Sequence, residues 1–289
     1  MGENAQILGV PIHPITKDEF KSLLDRYMGD QRQHFIATVN PEFIIEAQKN
    51  QFFKEILTQT DLNVADGVGI VWAAKYLRMP ISDSLSRTRV GRARKRKRTA
   101  LAQAAITLSA IPFFPRYLKT VIPERISGST VVEMLLGLTT SGDCSAYLLG
   151  GKKGIATAAK IELEKKYPNA LISGSRSGYL AKGESEERLI NAVNKAKPDI
   201  LIVALGSPKQ ECWIHDNLGD MPSVKIAVGV GGVLDYLSHA KNRAPQWMQK
   251  CGLEWSYRLL KEPSRLPRIK KATCEFIWEV VSHKVRNRE

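Results

Sequence analysis

Ile200-Leu201-Ile202-Val203-Ala204-Leu205-Gly206-Ser207-Pro208-Lys209-Gln210-Glu211 reads as a buried strand running straight into a helix. Six apolar residues in succession leave no polar face, which is the pattern of a strand covered on both sides. Gly206 then turns the chain, Ser207 stands at an N-cap position, Pro208 suits the first helical position, and Gln210 falls where a capping box places its return hydrogen bond. A helix is predicted over Pro208–Leu218. The same pattern recurs on either side. Strand-like runs are His34–Val39, Ser145–Leu149, Ala170–Ser173 and Val224–Val228, and helix-like stretches are Pro41–Thr58, Lys152–Lys166 and Glu184–Lys197. Short apolar runs separated by amphipathic stretches predict an α/β fold: a mostly parallel sheet with a Rossmann-like, helix-covered core. In such sheets ligands bind at the carboxyl ends of the strands, where helix N-termini converge.

Two segments break this rhythm, and they hold the charge. The chain of 289 residues has a formal net charge of +14; residues 82–123 carry +9 and residues 241–289 carry +7, which leaves the remainder at −2. Eight of the twelve residues Arg87–Arg98 are Lys or Arg, and the seventeen that follow, Thr99–Pro115, are uncharged. That stretch is at the lower limit for a membrane span and contains Gln103 and several small residues, so an interfacial helix beside a polybasic arm is the expectation. The C-terminal segment interleaves Trp247, Trp255, Tyr257 and Trp278 with Arg258, Arg265, Arg268, Lys270 and Lys271. Aromatic rings among basic side chains suit a bilayer headgroup region, and equally a helical appendage whose rings cover the core. The expected organisation is an α/β domain over 1–81 and 124–242, a basic and apolar insertion over 82–123, and a helical membrane-binding appendage over 243–289.

The opening MGENAQILGVPIHP has neither the basic start nor the apolar core of a secretory leader, and it lacks a myristoylation pattern. Cys144, Cys212, Cys251 and Cys274 lie far apart, with no Cys-x-x-Cys pair, and read as reduced thiols of a cytoplasmic protein. No zinc cluster and no Asp-x-Asp motif is present, so neither a metal nor another cofactor is expected.

Polar residues at predicted strand ends are the candidate site. Thr38-Val39-Asn40-Pro41 is a helix cap in its plainest reading, yet it also presents Thr38 and Asn40 where a ligand would lie. Asp66-Gly67 closes a short apolar run; it is either a tight turn or a carboxylate offered as a general base. Gly206–Glu211 is a capped helix start or a site for an anion or carbonyl. Leu149-Gly150-Gly151 resembles a nucleotide-binding turn but lacks the complete G-x-G-x-x-G or Walker pattern. Arg125, in Glu124-Arg125-Ile126-Ser127-Gly128, is either an exposed cation or a partner for a diphosphate.

Taken in order, T-x-N-P-E, A-D-G-x-G, E-R-x-S-G-S, Y-L-L-G-G and G-S-P-K-Q-E-C-W-I resemble the WecG/TagA/CpsF glycosyltransferase family. The resemblance runs from about Ile7 to Gly252, apart from the insertion. It implies transfer of N-acetylmannosamine, or its uronic acid, from UDP to a GlcNAc-diphosphate-polyprenol, with inversion and without a metal, in the synthesis of cell-surface polymers. It implies Asp66 as general base and Arg125 as the charge that meets the leaving diphosphate. Thr38, Asn40 and Gln210 would position donor or acceptor, and Gly150, Gly151 and Tyr179 would belong to the nucleotide side. Arg243, Arg258 and Arg265 are the appendage residues expected to reach the acceptor or the membrane, the last two about two helical turns apart. The implied partners are a UDP-sugar, a lipid-linked acceptor, an anionic membrane surface and further copies of the chain, with no nucleic acid, at the cytoplasmic face of the plasma membrane. One departure stands out: about forty residues separate Met79-Pro80 from Glu124, where the family runs almost directly between the two motifs. The rival readings are a nucleic-acid-binding protein that uses the basic arm, and a non-catalytic membrane scaffold.

Overall fold

The computed structural model describes residues 4–81, 89–178, 186–240, 242, 244–245, 248–249 and 253–286, and excludes the side chains of a few helical residues among them. The chain opens with a two-stranded antiparallel ribbon, β1 (Ala5–Ile7) and β2 (Val10–Ile12), followed by α1 (Lys17–Gly29). Thr16 and Glu19 form a reciprocal capping box at the start of α1. Next come β3 (His34–Val39), α2 (Pro41–Lys49), α3 (Gln51–Gln59), β4 (Leu62–Ala65) and α4 (Val68–Arg78). The predicted helix Pro41–Thr58 is therefore two helices. Asn50 ends α2, and its side chain accepts the Phe53 N–H to begin α3, because an Asn side chain competes with the helix's own bonds.

A long helix α5 (Arg89–Phe113) and the short α6 (Pro115–Leu118) lead to α7 (Gly128–Leu138). Then follow β5 (Ala146–Gly150), α8 (Ile155–Lys166), β6 (Ile172–Arg176), α9 (Glu187–Ala196), β7 (Ile200–Ala204), α10 (Lys209–Asn217), β8 (Ile226–Gly229) and α11 (Val233–Leu237). The described C-terminal helices are α12 (Glu254–Lys261), α13 (Leu266–Lys270) and α14 (Phe276–Arg286), with a π-helical turn at Lys271–Glu275 joining the last two.

Six strands form one parallel sheet in the order β4-β3-β8-β7-β5-β6. Alternate residues go to opposite faces, as the two-residue strand period requires. Ile36, Val64, Leu148, Ile202 and Val228 join α1, α7 and α8 on one side. Ala37, Val39, Leu149, Leu201, Val203 and Ala227 face the helices of the other side. The chain leaves β3 toward β4 and β5 toward β6, in opposite directions, so the carboxyl ends of the strands between them span the switch region where ligands bind in such sheets.

The segment after α4 is built into this frame. Small residues of α5, Ala100, Ala104, Thr107 and Ala110, are buried and allow close approach to α4 and α14. The Trp72 indole N–H donates to Thr107 Oγ1 at 2.8 Å, and the Tyr76 hydroxyl donates to the Ala100 carbonyl at 3.1 Å. Gln103, the polar residue of the uncharged stretch, donates to the Pro80 carbonyl at 2.8 Å and accepts from the Lys284 ammonium at 2.8 Å. Lys284 is itself buried, donates to the Tyr76 carbonyl, and lies 4.1 Å from the Tyr76 ring centroid. No helix of the described residues is long and apolar enough to cross a membrane.

Candidate active site

A cleft of about 550 Å³ opens at the carboxyl ends of β3 and β4. Asn40, Asp66, Arg125, Arg265 and Arg268 are among its lining residues, and α4, α5 and the C-terminal helices contribute to its walls. Each polar group is placed by a local device. Asn40 caps α2, its Oδ1 accepting from the Glu42 N–H at 2.9 Å and the Phe43 N–H at 3.3 Å, so the structural reading of this residue holds while it also borders the cleft. The Asp66 N–H donates to the Val39 carbonyl at 2.8 Å, which extends the β3–β4 ladder by one rung and fixes the loop that carries the carboxylate. Gly67 follows with φ +106°, a conformation strained for any other residue, and α4 starts at Val68.

Arg125 arrives from the far side of the long excursion. The Ile126 N–H donates to the Ala65 carbonyl at 3.0 Å, so the chain returns beside the residue that precedes Asp66. Ser127 then caps α7. Arg125 Nη2 donates to the Gln249 carbonyl at 3.3 Å, and the guanidinium remains on the cleft wall. The forty intervening residues therefore do not carry Arg125 away from Asp66.

Arg265 and Arg268 are set by a seam of opposite charges along α2. Glu42, Glu46 and Lys49 stand about one turn apart and pair with Arg268 at 2.8 Å, Lys271 at 2.6 Å and Glu275 at 2.5 Å. The Arg265 guanidinium meets Glu262 at 2.5 Å. Arg258 and Arg265 do not share a helix: α12 ends at Lys261, and Pro263 opens a short 3₁₀ turn, because proline cannot continue the helical hydrogen bonding. Arg258 belongs to α12, and its side chain lies outside the described residues, as do Arg243, Tyr179 and Cys251 altogether. Cys144, Cys212 and Cys274 are free thiols.

The remaining predicted residues gather elsewhere. Thr38 is buried and donates to the Gly229 carbonyl at 2.8 Å, which ties β3 to β8. The capping box expected at Ser207 does not form. Pro208 occupies the N-cap in helical geometry, and Gln210 Oε1 instead accepts from the Gly206 N–H at 3.2 Å and the Gly231 N–H at 2.9 Å. Gln210 Nε2 donates to Glu211 Oε1 at 2.6 Å. Glu211 is fully buried and its Oε2 has no hydrogen-bond partner among the described residues. Burial pushes its carboxyl up to about 7, with Gln210, a backbone amide and the Ser207 hydroxyl pulling the other way. Gly229 leaves the room these side chains occupy, since a Cβ there would lie 2.6 Å from Glu211 Oε1. Gly150 and Gly151 sit at the β5–β7 end of the sheet. Gly150 has φ +136°, and a Cβ there would lie 2.4 Å from the Ala204 carbonyl oxygen. Neither glycine borders the cleft that holds Asp66.

Sequence reasoning did not single out Trp72, Leu108, Ile111, Ile269 or Phe276, all of which line the cleft. Their only signal was apolarity, which they share with the core. Among the described residues no group of three or more His, Cys, Asp and Glu stands together as a metal site.

The model of the glycosyl transferase WecG/TagA/CpsF family matches residues 5–94 and 92–289, two stretches that meet in the basic segment. The chain is similar to proteins of Staphylococcus aureus named N-acetylglucosaminyldiphosphoundecaprenol N-acetyl-beta-D-mannosaminyltransferase. The relative from strain MRSA252 is 27% identical over 280 residues, 96% of this chain and 92% of the relative. That from strain MW2 is 26% identical over the same shares. The motifs that furnish Asp66, Arg125 and Gln210 thus lie within a match that runs nearly end to end, and the chain belongs to the WecG/TagA/CpsF glycosyltransferase family.

Proposed function

We propose that this glycosyltransferase moves an N-acetylhexosamine, N-acetylmannosamine or its uronic acid, from a UDP-sugar to a polyprenyl-diphosphate-linked GlcNAc, with inversion and without a metal ion. One observation carries the reading: Asp66, Arg125 and Arg265 border a single cleft at the sheet's carboxyl end. The Asp66 carboxylate takes the proton of the acceptor hydroxyl as its oxygen bonds to the anomeric carbon. The bond from that carbon to the diphosphate oxygen breaks on the opposite face, and UDP departs with the electron pair. Arg125, with Arg265 beside it, meets the charge that grows on the diphosphate, where a fixed cation lowers the barrier most. The absence of an Asp-x-Asp motif from the sequence supports a leaving group stabilised by arginines and helix N-termini.

The glycine turn at Gly150-Gly151 suits the nucleotide end of the donor. It lies three inter-strand spacings from β3, roughly 14 Å, a span that an extended sugar nucleotide covers. Thr38, Gln210 and Glu211 form the floor between the two ends and hold the loops in place. The lipid-linked acceptor and the two basic segments support a peripheral location at the inner face of the plasma membrane, with the appendage against anionic headgroups.

The test is UDP release from a panel of UDP-sugars with a GlcNAc-diphosphate-lipid acceptor in EDTA. Acceptor-dependent release is expected for one N-acetylmannosamine-type donor and should fall at least ~10²–10⁴-fold in Asp66→Asn, the usual worth of a general base. Equal rates for Asp66→Asn and the unaltered protein would sink the assignment of the base. A requirement for divalent cation would sink metal independence.

A further inference from the structure

Much of the cleft's lining is apolar: α4, α5 and the C-terminal helices give it Val68, Trp72, Leu108, Ile111, Ile269 and Phe276. Its charged lining groups are Glu42, Asp66, Arg125, Glu254, Arg265 and Arg268, with Glu42 paired to Arg268, and its apolar lining includes Leu108, Ile111 and Pro112 from α5 and Ile269, Ala272 and Ile277 from the C-terminal helices. α5 has two apolar sides of different character. The side toward α4 and α14 carries small buried residues that close on the core. Away from it, Leu101, Ile106, Phe113 and Phe114 are exposed, Ile106 by 62%, Phe113 by 74% and Phe114 by 67%. A large aromatic pair standing in solvent directly after a cleft-lining proline is uncommon on a protein that meets only water. A ligand that uses both the arginines and the apolar lining carries an anionic group and a long hydrocarbon.

We propose that the α5 wall of the cleft is the seat of the first isoprenoid units of the lipid acceptor. The tail leaves the acceptor's own diphosphate beside Arg268, the lining arginine that the departing UDP does not use, runs between Ile111 and Ile269, and exits past Phe113 and Phe114 into the bilayer. This rests on the functional reading above and adds to it a tail-binding subsite, built by the segment in which the chain departs from its family's usual spacing. The subsite makes the enzyme select for a lipid-borne acceptor at the protein itself, in addition to any gain from concentrating on a membrane surface.

The test separates the tail from the transfer. Binding of farnesyl diphosphate and of inorganic diphosphate to the full chain is followed by tryptophan fluorescence, since Trp72 and Trp255 line the cleft. Farnesyl diphosphate is expected to bind at least tenfold more tightly than diphosphate, and Ile111→Asp should abolish that advantage while diphosphate binding is kept. Ile111→Ala, the gentler change, should reduce the advantage severalfold and carries the test if the Asp variant does not fold. Equal binding of the two ligands by the unaltered protein, or an advantage untouched by either variant, overturns the proposal. In parallel, transfer is measured to GlcNAc-diphosphate bearing a farnesyl or a methyl group, without membranes. A rise of about tenfold in KM for the farnesyl acceptor alone in Ile111→Asp supports the subsite, and an equal rise for both acceptors overturns it. A farnesyl advantage in binding, with no transfer to either acceptor by the unaltered protein, leaves the subsite standing and overturns the functional reading instead.

Discussion

The two ends of β3 and β8 hold the same kinds of side chain and use them in opposite ways. At the β3–β4 end Asp66 and Arg125 border an open cleft; backbone hydrogen bonds from Asp66 and Ile126 fix their loops, and the Arg125 guanidinium adds one contact to the Gln249 carbonyl. At the β8 end Thr38, Gln210 and Glu211 are buried, and Thr38 and Gln210 spend their polar atoms on backbone groups of Gly229, Gly206 and Gly231. A polar residue at a strand's carboxyl end is therefore not by itself a ligand contact. What separates the two is where the side chain ends up: Asp66 and Arg125 stay on the cleft wall, whereas Gln210 is buried with its amide oxygen shared between two backbone N–H groups.

The contrast makes predictions that run from large to small. Arg125→Ala should lower kcat about 10²–10³-fold, as loss of a charge aimed at the transition state does, with the thermal midpoint nearly unchanged. A large loss of stability would erase the distinction between the ends. Glu211 acts through titration. Its carboxyl lies near 7 in the fold against 4.5 unperturbed, so the folded state holds the proton more tightly. Its contribution to stability is complete below about pH 4.5, declines as pH rises, and is gone above about 7, a change on the order of 3 kcal/mol. Denaturant titrations across that window should show a flatter profile for Glu211→Gln than for the unaltered protein.

Gln210→Ala should destabilise by about 2–3 kcal/mol, because two backbone N–H groups lose their acceptor. Any fall in its activity should parallel the fraction unfolded, in contrast to Arg125→Ala. Arg268→Ala breaks a half-exposed ion pair with Glu42 and should cost under about 1 kcal/mol, an effect that salt diminishes further.

The long apolar runs are legible in the amino-acid sequence alone. β3, β5, β7 and β8 lie within a residue or two of the runs His34–Val39, Ser145–Leu149, Ile200–Leu205 and Val224–Val228, in each of which at least three apolar residues stand together. β4 is not, since Leu62-Asn63-Val64-Ala65 contains a buried Asn whose amide is satisfied by the carbonyls of Pro11 and Leu57, contacts that no local pattern announces. The three-residue strands β1 and β2 are too short for any periodicity. The break at Asn50 shows only as a polar residue in an unbroken amphipathic run. At the site, the order of the motifs points to Asp66 and Arg125, whereas the position of Arg268 depends on an ion pair with Glu42 of α2, more than two hundred residues earlier, beside that of Lys271 with Glu46. Thr38 and Asn40, two residues apart, differ in legibility: the Asn40 cap is readable from Asn40-Pro41, whereas the bond from Thr38 to the Gly229 carbonyl requires knowing that β8 lies alongside.

The Lys284 ammonium, buried against Tyr76 and Gln103, also sets a timetable for synthesis. The floor of the cleft, β3 and β4, leaves the ribosome first, and the α5 wall follows within fifty residues of Asp66. That wall acquires its last tie to the core only when residue 284 has emerged, and the arginine side of the cleft is docked by the same late helices. A nascent chain thus presents the strands before it presents a closed cleft, and a chain halted before α14 would keep α5 tied to α4 alone.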